Sequence, residues 1–233
     1  MLKRKLTPGD YLLIIVNLIP LYGVWFEGWN ASQVFLVYCL ETMIIGVVNV
    51  IKMASVTLFV KPKDVWQNNG SSTLQSGFFF ILFFIVHYGI FVFVQTQIFF
   101  EVSGVIKVNS VLGKYAAIPG ALGNEGMLLL LIFITYYTLQ TLFDFFLSGE
   151  YKTISMARLM FQPYGRIFIQ QIVVILGSMF LSFGAGKVFI LVLVIVKIYF
   201  EIFVNFDRFM VLAEKRKKRK EEANVITGEE RPE

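Results

Sequence analysis

The chain has one cysteine, one histidine and six prolines in 233 residues, and only 16% of its residues are charged. Each shortage excludes something. Cys39 by itself closes no disulfide within the chain and builds no thiolate metal cluster. His87 by itself cannot supply the His-Glu-x-x-His pair of a zinc hydrolase. No Glu-x-x-His occurs anywhere, whereas a di-iron carboxylate bundle needs one on each of two helices. Soluble domains carry charge on about a quarter of their residues. A chain that is 57% hydrophobic, with a mean hydropathy of +0.70, is not built for water on all sides. The short alternating segments of a transmembrane β-barrel are missing too.

What the chain has instead is long apolar runs. Crossing about 30 Å of hydrocarbon takes about 20 helical residues, and six stretches qualify, at about 8–27, 33–55, 76–100, 125–147, 166–185 and 187–211. Backbone groups in lipid must be paired within their own segment, so each is predicted to be a helix. The expected fold is an all-α, six-span bundle over residues 1–211, followed by a basic, disordered tail over 212–233. Lys3, Arg4 and Lys5, the 60–72 and 148–166 connections, and "EKRKKRKEE" (214–222) hold most of the basic residues. The opposite connections hold only Lys107, Lys114 and Lys187. The positive-inside rule then puts both termini in the cytoplasm of a multi-pass cell-membrane protein. The net charge of +5 comes largely from the tail and speaks of orientation rather than nucleic acid. The tail's basic run would attract anionic lipid.

"MLKRK" before an apolar stretch resembles a signal peptide, but no small-residue cleavage site follows. "TPGD" reads better as a helix start, with Thr7 as N-cap, Pro8 at the first helical position and Asp10 near the positive end of the dipole. Between spans, 60–72 reads as a polar inner loop. The 101–124 segment reads as either an interfacial or re-entrant helix or a plain surface loop. Residues 148–166 read as a short amphipathic helix on the inner leaflet, stopped by Pro163. Spans one to three and four to six share no motif that would mark an inverted repeat.

The most informative residues are polar ones inside the spans, where a charge costs about 2.5–3.5 kcal/mol on insertion scales and usually faces protein or a cavity. At 100° per residue, Lys197, Glu201, Asn205 and Arg208 form one stripe on span six, with Lys197 and Glu201 spaced to neutralise each other. Tyr38, Glu41, Asn49 and Lys52 form a stripe on span two. Span four adds Tyr137, Gln140, Thr141 and Asp144. Span five adds Arg166, Gln170 and Gln171, and span three adds His87, Gln95 and Gln97. The expected site is Glu41, His87, Lys197 and Glu201. Tyr38, Asn49, Tyr137, Gln140, Asp144, Gln170, Asn205 and Arg208 support it. Asp144 and Arg208 are near enough to the inner interface to be solvated, and Gln95 and Gln97 to serve only as bridges between helices.

The segments "YCLETMIIGVVNVIKM", "HYGIFVFVQ", "PYGRIFIQQIVVILG" and "KIYFEI" resemble a domain-of-unknown-function family of bacterial and archaeal polytopic membrane proteins. The resemblance rests on Tyr38, Leu40 and Glu41, on His87, Tyr88 and Gly89, and on Lys197 and Glu201. It implies the same site residues and brings no activity, ligand or cofactor.

Three functions fit these residues. Transport or conduction of a proton, ion or small solute comes first, with Glu41, His87 and the Lys197–Glu201 pair as relay groups. A noncatalytic subunit or scaffold comes next, its phenylalanine-rich exterior meeting a partner membrane protein or a second copy. A membrane-embedded enzyme comes last, since "GALGNEG" (120–126) has no glycine-flanked serine for intramembrane proteolysis. No metal site is indicated, and the sequence leaves any cofactor unknown.

Overall fold

In a computed structural model, the backbone is described for residues 8–60, 63–68 and 71–203, and side chains for most of these outside 61–75. The tail beyond 203, and with it Asn205 and Arg208, lies outside the described residues, as does Thr7.

Among the described residues, seven α-helices carry the fold: α1 (Pro8–Phe26), α2 (Ala31–Phe59), α3 (Gly77–Ser103), α4 (Val111–Ala116), α5 (Ile118–Gln140), α6 (Met156–Ser182) and α7 (Gly186–Phe203). Four helical stretches among the described residues are long and apolar enough to cross a membrane: α1, α2, α3 and the run from Val111 to Leu147. The chain is therefore a multi-helix, membrane-embedded bundle. Helix α2 is its axis, with 67% of its apolar stretch buried against 39% in α1 and 28% in α3. It packs on α3, α5 and α6, while α7 packs chiefly on α1 and α6. One apolar core surrounds the N-terminal half of α2, from Val34 to Ile45. A second surrounds Met53 and Val56 together with Phe80, Phe84, Phe145 and Met160.

Close approach of α3 to α2 depends on Gly46. A methyl group there would lie 2.6 Å from the Tyr88 ring, whose hydroxyl donates to the Thr42 carbonyl at 2.8 Å. Gly46→Ala must push that ring away and break the bond. A loss of about 1–3 kcal/mol is expected from overpacking, read as an earlier unfolding midpoint in detergent. An unchanged midpoint would refute the packing.

The structure adds to or departs from the sequence expectations in three places. The connection expected as a polar loop over 60–72 holds a short β-hairpin beside the all-helical bundle. Strands β1 (Lys63–Asn68) and β2 (Ser71–Ser76) pair antiparallel, with Asn68 opposite Ser71. The intervening sequence is Asn-Gly, the dipeptide that tight hairpins favour.

The predicted amphipathic helix ending at Pro163 is also corrected. A single 3-10 turn spans Glu150–Lys152, and then α6 runs through Pro163 to Ser182. Proline has no N–H for the carbonyl four residues back, which is that of Leu159. The Asn49 side-chain amide donates to that carbonyl at 3.0 Å, so a group from α2 replaces the missing bond and the helix continues.

Third, α5 passes into a π-helical turn over Thr141–Leu147. Its i→i+5 winding rotates less per residue than an α-helix, so the 100° projection fails there. Thr141 is buried while Asp144 is exposed.

Between α3 and α5, the 101–124 segment contains α4. The Ser110 hydroxyl caps α4 by accepting from the Gly113 N–H. Gly123, at φ 62°, then breaks the first turns of α5 from the rest.

Candidate functional site

Tyr38 and Glu41 are three apart on α2, and Phe133 and Tyr137 four apart on α5, so each pair shares a helix face. Packing α2 against α5 brings the two faces together. Glu41 is 1% exposed at its side chain. The Tyr137 hydroxyl donates to Glu41 Oε1, and the Lys197 ammonium, delivered by α7, donates to both carboxylate oxygens.

The same ammonium lies 4.8 Å from the centroid of the Tyr38 ring and 4.8 Å from that of Phe133. The two rings are themselves 5.5 Å apart. Lys197 is thus held by a carboxylate on one side and two aromatic faces on others, with 10% of its side chain exposed. Ring quadrupoles attract cations most where water is excluded. A buried charge needs this much company, because taking it from water costs several kcal/mol. Chemically, the assembly is a buried carboxylate–ammonium pair with two aromatic faces against the cation.

The remaining predicted residues divide. Glu201 is partly buried, one turn beyond Lys197 and within electrostatic reach of Tyr38. Asn49 lies on the same helix as Glu41 but serves the α6 carbonyl instead. Lys52 sits with its ammonium 5.3 Å from the Phe145 ring. Gln140 is half-buried. The Gln170 and Arg166 side chains lie outside the described ones.

His87 is not drawn in. It is exposed on α3, with ring centroids of Phe83, Phe91 and Tyr164 at 5.3, 5.2 and 5.5 Å. The reason is rotation along the helix: Tyr88, the next residue, takes the face toward α2. Gln95 is fully buried, and neither of its amide atoms meets a hydrogen-bond partner among the described residues, so it does not bridge helices there. No group of three or more metal-ligating side chains converges among the described residues.

Sequence reasoning missed Phe133 and two buried charges. Phe133 lies four residues before the candidate Tyr137, so helical spacing places it on the same face, but an apolar ring carries no polar signal inside a span. Asp10 is 8% exposed at the start of α1. Lys114 is 7% exposed on α4 and forms an ion pair with the largely exposed Glu101. That contact joins a short loop helix to the end of α3, and no periodic signal marks it.

A sequence-family comparison matches residues 1–224 to a family of unknown function, DUF6498. Comparisons with curated proteins and with solved structures find no match.

Proposed function

We infer the function of this chain from its own residues, because it belongs to a family of unknown function (DUF6498) that supplies no activity. The reading the geometry supports best is passage of a proton, ion or small solute across the cell membrane, with Glu41 and Lys197 as the switching pair. One observation carries it: an ion pair between α2 and α7, enclosed on nearly all sides. Apolar residues of similar volume would stabilise such a contact equally well or better. Ionisable groups kept inside a membrane bundle are characteristic of ion and proton paths.

In this reading six helices cross the membrane, both termini are cytoplasmic and the basic tail rests on anionic lipid. A proton or cation arriving at Glu41 weakens its hold on Lys197, and α7 is then free to shift against α2 and α5. Glu201 receives the released charge one turn along. His87, facing outward, stands off this route.

The test is flux in proteoliposomes under an imposed proton or cation gradient. Wild type should dissipate the gradient, and Glu41→Gln should slow it about tenfold or more. Equal rates for the two would end the proposal.

A second reading has its own support. The Glu41–Lys197 pair, the Tyr137 bond and the two ring contacts tie α2, α5 and α7 together, as a lock in a noncatalytic subunit would. There, Glu41→Leu with Lys197→Met should preserve function in the assembly; in a transporter the same double change abolishes it.

A further inference from the structure

We propose that the enclosure around Lys197 is a binding site for a small organic ammonium ion, and that the lysine is its tethered occupant. The idea rests on the transport reading for its role in the membrane, but its chemistry stands on the walls of the site. Those walls are Tyr38 and Glu41 on α2 and Phe133 and Tyr137 on α5, each at most 4% exposed. They belong to two helices packed closely on each other, whereas the occupant arrives on α7, which packs chiefly on α1 and α6. The walls thus come from α2 and α5 and the occupant from α7, which lies in the same apolar core, so exchange requires α7 to shift within that core.

The donor set selects the ligand class. Calcium takes six to eight oxygens, and magnesium holds an octahedron of oxygens it gives up reluctantly. The contacts described for the ammonium are the Glu41 carboxylate and the ring faces of Tyr38 and Phe133, while the Tyr137 phenol bonds the carboxylate. A carboxylate beside two ring faces suits a cation whose charge is borne by an N–H group on a hydrocarbon stem. An alkylammonium group already occupies it, so the fit to that group is on display.

Exchange keeps the account of charge simple. An incoming ammonium replaces the lysine at Glu41, and the displaced Lys197 has the Glu201 carboxylate four residues along its own helix. Binding of the ligand is thereby linked to movement of α7.

The experiment is equilibrium binding of ethylammonium, which reproduces Lys197 from Cδ to Nζ, to the purified full-length protein in detergent. Wild type should show saturable binding that neither sodium nor potassium displaces. Phe133→Leu should weaken it about tenfold, by loss of one ring face. Lys197→Ala, by removing the competitor, should tighten it about tenfold. Where Lys197→Ala fails to yield monodisperse protein, Phe133→Leu against wild type decides. Absence of saturable binding to wild type, or the same affinity in Phe133→Leu, overturns the proposal. Ammonium binding without flux would uphold this site and remove the transport reading. Proton flux that depends on Glu41, without ammonium binding, would do the reverse.

Discussion

Lys197→Met is expected to lower stability by about 3–5 kcal/mol, because it strands the Glu41 carboxylate in a dry interior. Only the Tyr137 hydroxyl would remain of the hydrogen-bond partners described for Glu41 here. Glu41→Leu should be costly for the mirror reason, leaving an ammonium between two rings with no counter-charge. The double variant Glu41→Leu/Lys197→Met removes both charges at once and should recover most of the loss. Unfolding midpoints in detergent for the two single variants and the double give the comparison. If the double is as unstable as the sum of the singles, the two groups do not neutralise each other and the site described above does not exist. If the double recovers as expected, stability and flux part: the double variant folds, yet under the transport reading it carries nothing.

The second large effect concerns Pro163. Asn49→Leu leaves the Leu159 carbonyl without its α2 donor and should cost about 1–3 kcal/mol. Pro163→Ala restores a backbone N–H at the position facing that carbonyl. In the Pro163→Ala background, Asn49→Leu should therefore cost much less, a coupling that a double-mutant cycle measures directly. Strict additivity would mean that Asn49 does not stand in for the missing backbone bond. The prediction is specific to this pair, because the bond from Asn49 crosses 110 positions of sequence to a carbonyl that Pro163 cannot serve.

These two sites show how differently the parts of the molecule can be read from the chain. The apolar runs announced long helices, and α1, α2 and α3 begin within two residues of where hydropathy placed them. Helical spacing put Tyr38 with Glu41, and the site uses both. It also put Asn49 and Lys52 on that stripe, yet the stripe divides: its first half meets α5 and α7, its second half meets α6 and the π-helical turn. Asp144 is exposed, as the solvated alternative had it, in a π-helical turn whose change of winding after Gln140 no hydropathy pattern reports. Pro163 reads locally as a stop, and in isolation it would be one. A side chain from another helix overrides it.

Membrane residence, helical content and the pairing of polar residues along one helix are properties of neighbours within a turn or two, so composition and periodicity determine them. Which helix faces which is different. Lys197 has an acid four residues away and yet reaches Glu41 across 156 positions, between two rings contributed by α2 and α5. That choice follows from how the helices pack, where the energy of a charge depends on everything around it rather than on the residues beside it in the chain.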